Sequence, residues 1–236
     1  MLANRTTDRP RKKVRVEVPE GALQLMLSHL LEEWGYLVEP DASDGVVVVA
    51  REGHFTPDRF QPVVWLSDSR YSGMDRLSLP LRIESLYTTL ERKFHQPPRR
   101  HLRISLDLDA RAHSRGQDWP VRLTCLSDRG CRLLFPRELA RDEAMRVVFE
   151  QGGMRFDLEG LVLYSFPHQV EEGEVFSTGV VFLHLDSEIN RHLRGLIVDG
   201  YFDRVRRRCG EEVWRRASGF LAAADLGEGA GRSMQA

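Results

Sequence analysis

The 236 residues carry a formal charge of -1, with 34 Lys and Arg against 35 Asp and Glu, which excludes a globally basic chain that coats nucleic acid. Hydrophobic residues make up 42%, enough to bury an ordinary core in each of one or two domains. Cys125, Cys131 and Cys209 are odd in number and lack paired short spacings, so no disulfide framework and no metal centre is expected, and a reduced, cytoplasmic setting fits.

Residues 1–13 are polar and basic and read as a disordered arm without an apolar signal region. Val14–Val18 alternates as a strand, Pro19-Glu20-Gly21 breaks it, and Leu23, Leu27, Leu30, Leu31 and Trp34 recur at helical spacing up to Gly35. Tyr36–Glu39, Val46–Ala50 and Pro62–Ser67 read as strands, the last two apolar on both sides and therefore interior. Leu77–Leu81 reads as a further strand, and Ile83, Leu86, Tyr87, Leu90 and Phe94 mark a closing helix. The longest aliphatic run, Val46–Ala50, is far too short to span a bilayer.

Residues 14–95 thus form a small α/β domain whose layout resembles a shortened response-regulator receiver. The places of the receiver's acidic cluster, acceptor Asp and Lys hold Pro19-Glu20, Ala50-Arg51 and Leu79-Pro80, so phosphotransfer has no machinery and a non-catalytic, pseudo-receiver-like interaction domain is expected. Pro40–Gly45 is short for a crossover between parallel strands, so its flanking strands also admit a hairpin.

His95-Gln96-Pro97-Pro98 stiffens the backbone and stops the helix. Residues 96–103 form a linker, after which the periodicity becomes two. Ile104–Ser114, Trp119–Ser127, Cys131–Phe135, Arg146–Gln151, Met154–Phe166 and Val175–Leu185 make six strands, with Gly116-Gln117, Asp128-Arg129-Gly130, Gly152-Gly153 and Glu172-Gly173 supplying turn chemistry between them. Six consecutive antiparallel strands imply a small β-barrel, so the fold class is a two-domain α+β chain.

Asp186 or Ser187 can cap a helix carrying Ile189, Leu193, Leu196, Ile197, Tyr201 and Val205, weakened at Gly200 and ended at Gly210. The barrel and this helix span 104–208, a further helix 209–224, and a disordered tail 225–236. Arg204, Arg206, Arg207 and Arg208 read as a solvated face, and no nucleic-acid partner is expected.

The chemistry concentrates at the linker and one turn. Arg99, Arg100 and Arg103 precede the first barrel strand, and Leu126-Ser127-Asp128-Arg129-Gly130 follows the second. Planar guanidiniums facing a Ser/Gly turn suit phosphate oxygens, which they bind bidentately. With PPRRHLRISL, LTCLSDRGCRLLF and STGVVFLHLDSEINRHLRGLI, the chain resembles the PilZ domain, a bacterial receptor module for cyclic di-GMP, over roughly residues 97–208.

The family pattern, Arg-x-x-x-Arg followed by Asp/Asn-x-Ser-x-x-Gly, falls on Arg99, Arg103, Ser127 and Gly130, with Arg100 an added neighbour. Cys125 occupies the place of Asp or Asn, where a thiol hydrogen-bonds a guanine edge poorly, at a cost of about 0.5–1.5 kcal/mol.

The resemblance implies a receptor and adaptor with cyclic di-GMP as ligand and no cofactor. Its arginines would grip phosphate or guanine, and Gly130 would let the turn approach the ligand. Binding at the junction would reorient the N-terminal domain, which would signal to an unidentified protein partner controlling motility, attachment or exopolysaccharide. The alternative is a ligand-blind adaptor of the same fold. An enzyme is not expected: the chain lacks a Walker loop, His-Glu-x-x-His, Gly-x-Ser-x-Gly and a dinucleotide fingerprint.

Overall fold

The computed structural model describes residues 12–41, 46–69, 73–170 and 173–222. The chain divides into two units: one runs up to Arg100 and resumes at Tyr201, the other runs from His101 to Gly200.

In the first unit the valine-rich segments become strands β1 (Lys13–Glu17), β2 (Leu37–Val38), β3 (Val47–Arg51), β4 (Val63–Ser67) and β5 (Arg76–Ser78). All four pairings are parallel and the order is β2-β1-β3-β4-β5, one of the common doubly wound orders. β3 and β4 lie inside the sheet and are mostly buried, as their two-sided apolar character requires.

Among its described residues up to Arg100 this unit has two helices, α1 (Gly21–Glu33) and α2 (Ile83–Phe94), and the described parts of the β3–β4 and β4–β5 connections contain no helix. Trp34 at the end of α1 meets Tyr87 of α2 edge-on, with ring centroids 5.3 Å apart. On β3 and β4, Val48, Ala50 and Val63 form a small cluster of their own, covered by Phe55 from the β3–β4 connection and by Trp65.

The hairpin admitted for β2 and β3 does not form, because the two strands flank β1 and run parallel to it. Val38, where β2 ends, and Val47, where β3 begins, are both in register with Val14. The connection therefore needs only a sideways step of roughly two strand spacings, about 10 Å, with no return along a strand. Eight residues, 39–46, suffice for that.

The arm expected over residues 1–13 does not extend to its last two residues. Residues 1–11 lie outside the described residues, but Lys13 opens β1 and Lys12 donates to Glu91 Oε1 at 2.5 Å. Glu91 is 2% exposed and also accepts from the Tyr36 hydroxyl at 2.7 Å. Burial pushes this carboxyl's pKa up, but the bonds from Lys12 and Tyr36 outweigh it and hold it below the usual value. Burial and the same carboxylate push the Tyr36 hydroxyl well above its ordinary range.

The second unit contains β6 (Arg103–Ser114), β7 (Gln117–Ser127), β8 (Gly130–Phe135), β9 (Ala144–Gln151), β10 (Met154–Val170) and β11 (Gly173–Phe182). They form a six-stranded antiparallel sheet in the order β10-β11-β8-β7-β6-β9, and the β9–β10 pairing closes it into a barrel. Arg115-Gly116 and Gly152-Gly153 turn two of the hairpins with φ of 50° and 75°, and 60° and 75°, the positive values that two-residue hairpin loops demand. Inside, Phe149 and Phe156 stack from paired positions with centroids 4.9 Å apart.

Helix α3 (Ser187–Cys209) starts where Asp186 Oδ1 accepts from the Ile189 amide at 2.7 Å, and α4 (Glu211–Ala217) follows. Composition placed the end of the barrel domain at residue 208, but the units divide after Gly200. Tyr201 packs edge-on to Trp34 at 6.1 Å, and Arg208 Nη1 donates to Glu33 Oε1 at 3.2 Å, so the end of α3 belongs to the first unit. The tail 225–236 lies outside the described residues. Among the described residues no helix is long and apolar enough to cross a membrane.

Candidate functional site

Strand register builds the site. Arg103 of β6 is paired with Ser127 of β7, Ser127 with Gly130 of β8, and Gly130 with Val181 of β11. Two residues along, Cys125 is paired with Arg132, Arg132 with Gly179, and Gly179 with Tyr164 of β10. Because side chains repeat every second residue along a strand, both rows project from the outer face of the barrel. They line one cavity of about 250 Å³, together with Arg129 and Leu163.

The turn between β7 and β8 is fixed by its own groups. The Ser127 hydroxyl donates to the Gly130 carbonyl at 3.0 Å and accepts from the Arg129 amide at 3.3 Å. Its single proton is thus committed to the turn, and one lone pair remains. A Cβ on Gly130 would collide with the carbonyl oxygen of Val180, so the absent side chain lets β11 approach.

Behind the turn stands Asp128, buried, with Arg194 Nε of α3 donating to its Oδ2 at 3.0 Å. Asn190 Nδ2 donates to its backbone carbonyl at 3.3 Å. His101 Nδ1 lies 2.8 Å from the other carboxylate oxygen. The segment leading into β6 and the β7–β8 turn are thereby held to one buried carboxylate.

Arg103, Cys125, Ser127 and Gly130 are brought together at this cavity. Arg99 and Arg100 are exposed, are counted with the first unit and are not among the residues lining the cavity. Arg99 lies within electrostatic reach of the Tyr36 hydroxyl, where it favours the ionised form.

Arg129, Arg132 and Tyr164 escaped the motif. Arg129 and Arg132 were legible as charges flanking Gly130, but Tyr164 enters through pairing on β11, which no local pattern reveals. The Arg129 side chain makes no ion pair among the described residues, and Arg132 Nε donates only to Thr124 Oγ1, at 3.2 Å. Three guanidiniums therefore border one small hollow, a cation set suited to an anionic, planar ligand. Below them Cys131 points into the barrel, and burial, with Cys125 adding to it, pushes its thiol far up, so it stays neutral.

A protein-family model described as "PilZ domain" matches residues 97–199. No curated protein matches the chain. Among solved structures, the Bacillus subtilis inhibitor of motility MotI/DgrA aligns at 13% identity over 44% of this chain and 52% of that one, with a TM-score of 0.39. The PilZ domain of Escherichia coli YcgR with c-di-GMP aligns at 18% identity over 47% and 95%, TM-score 0.40. The K. pneumonia MrkH–c-di-GMP complex aligns at 17% over 46% and 55%, TM-score 0.41. The chain thus spans about half the length of MotI/DgrA and of MrkH. The match to the family model covers the barrel, the Arg103–Ser127–Gly130 row and the first part of α3: residues 97–199 are a PilZ domain.

Proposed function

We propose that the protein is a receptor and adaptor for cyclic di-GMP. The observation that carries this reading is the cavity on a PilZ barrel bordered by Arg103, Arg129 and Arg132 and floored by the Ser127–Gly130 turn. Two phosphates and two guanines give this ligand the oxygens and ring nitrogens that guanidiniums bind in pairs. The cavity is smaller than the roughly 300–1,000 Å³ of clefts that enclose whole ligands, so it takes part of the dinucleotide and leaves the rest outside. Arg99 and Arg100 stand just ahead of the barrel in the chain and are the groups we assign to that remainder. The same ligand is present in the YcgR and MrkH structures named above.

The α/β unit serves as output. Ligand changes its orientation relative to the barrel, and a protein partner reads the change. Calorimetric titration tests the binding: Arg103→Ala should weaken it by roughly 10- to 150-fold, the range for one charge-assisted hydrogen bond. Equal affinity in wild type and variant would defeat the assignment. Small-angle scattering with and without saturating ligand tests the output, and superimposable profiles would remove the reorientation while leaving the binding intact.

One observation favours a second reading, a ligand-blind adaptor. Cys125 sits in the cavity where an acid or amide would read guanine, and the Ser127 proton is spent on the turn. Titration of the wild type separates the two readings.

A further inference from the structure

We infer that the barrel carries a second binding site, a groove on its outer wall that takes an aliphatic carboxylate. The groove holds about 1050 Å³, lies wholly within the second unit and shares no lining residue with the Arg103 cavity. Register shows which side of the wall it is on. Arg111 of β6 is paired with Pro120 of β7 and with Val148 of β9, and it is exposed while Ala110 and Ala112 beside it are buried, so this row faces outward. Leu134 of β8, between the buried Leu133 and Phe135, faces outward as well. So does Val175 of β11, which precedes Phe176, the partner of Phe135. With Pro136 and Val170 these make six aliphatic or proline side chains lining the groove, and none of them is buried.

The outer face of an antiparallel sheet is normally polar, and the barrel's own core has no use for apolar groups there. The volume reaches the upper end of the roughly 300–1,000 Å³ of clefts that enclose whole ligands. Phe149 is the one aromatic ring among the described lining residues, and it is 2% exposed. A planar base therefore finds nothing to stack on, whereas a flexible hydrocarbon chain can follow the aliphatic and proline surface and leave water. The rim decides the head group. Arg122 is spent on Asp107 and Asp109, at 2.5 and 2.6 Å, and Arg155 stands opposite Glu150 in the β9–β10 pairing. Arg111 has Pro120 and Val148 as its cross-strand neighbours and makes no ion pair among the described residues. One guanidinium set among apolar side chains without a counter-charge calls for one anionic group on an apolar body, and a carboxylate fits its two parallel donors.

The experiment titrates the full chain by calorimetry with octanoate, decanoate and dodecanoate, each below the concentration at which it forms micelles, and with dodecanol as the uncharged control. Each added methylene should tighten wild-type binding between about twofold and fourfold. Arg111→Gln should weaken dodecanoate by roughly twofold to tenfold and leave dodecanol unchanged. Val148→Glu, which gives Arg111 an internal carboxylate, should abolish dodecanoate binding, with melting curves confirming that both variants fold. Arg103→Ala should bind dodecanoate as the wild type does. A wild type that ignores dodecanoate or binds octanoate equally well would overturn the site, as would undiminished dodecanoate binding in Arg111→Gln. Loss of dodecanoate binding in Arg103→Ala would place the anion in the other cavity and overturn it too. Self-association in sedimentation that Val148→Glu removes would give the groove to a second copy of the chain instead.

Discussion

Asp128 and Arg194 join a turn to a helix: the arginine Nε donates to the buried carboxylate at 3.0 Å, and His101 approaches the other oxygen at 2.8 Å. The three groups are unequal. The carboxylate is nearly inaccessible, whereas the Arg194 and His101 side chains retain 50% and 37% of their exposure. If the acid is removed, both partners turn to water; if the partners are removed, an ion is stranded. Asp128→Ala should therefore lower stability by about 1–2 kcal/mol, while His101→Ala with Arg194→Ala should lower it by about 3–5 kcal/mol. Denaturant midpoints of the full chain will show whether the double variant is the weaker.

Gly130 and Ser127 belong to one motif but should fail differently. Gly130→Ala drives a methyl group into the backbone of β11, which has no flexible end to move aside. Its melting temperature should fall steeply, with ligand binding lost as a consequence of unfolding. Ser127→Ala removes two turn hydrogen bonds and should cost about 1 kcal/mol, leaving a folded barrel with a looser turn. Circular dichroism melts distinguish these outcomes.

Acid should weaken the fold through Glu91 and Glu143. Glu143 accepts from the Ser114 hydroxyl at 2.5 Å and the Ala140 amide at 3.3 Å, and Arg115 lies 2.8 Å away. As with Glu91, burial pushes its pKa up, and these donors and cations more than reverse the effect. The folded state therefore binds protons less readily than the unfolded chain. The stabilisation is complete above the ordinary value near 4.5 and is lost as the pH falls through the depressed folded values. Unfolding free energies measured between pH 7 and pH 3 should drop on the acid side, and Glu143→Gln should flatten that drop. An unchanged slope would remove Glu143 from the account.

Gly200 offers a test of packing against propensity. Alanine is the better helix former by about 1 kcal/mol, yet a Cβ at this position collides with Cδ1 of Ile104, which is 1% exposed. Overpacking costs about 1–3 kcal/mol, so Gly200→Ala should destabilise the protein. Adding Ile104→Val removes the offending methyl group and should recover most of the loss, a coupling that a double-mutant cycle measures directly.

Much of the fold was legible in local pattern. The alternation from Ile104 onward and the helical spacing of Leu23 to Trp34 mark elements that the structure contains nearly residue for residue, because each buries one face against a neighbour. Pairing between distant segments was not legible. No local signal says that β2 and β3 both lie beside β1, that β9 closes on β10, or that Tyr201 leaves the barrel's unit for Trp34.

The site divides along the same line. Arg103, Ser127 and Gly130 are close in two short segments joined by a hairpin, so a motif finds them. Tyr164 arrives from four strands later, through the β10–β11 pairing. Lys12 looked like part of a solvated arm because its partner, Glu91, lies at the far end of the unit's sequence.

The first unit's sheet ends at one side in a strand of two residues and at the other in a strand of three. Such short borders expose few unpaired amides and carbonyls, so an incoming strand finds almost no ladder to extend. Association by strand addition, with the fibrous growth it invites, is poorly supported there, and whatever docks on this unit must recognise side chains.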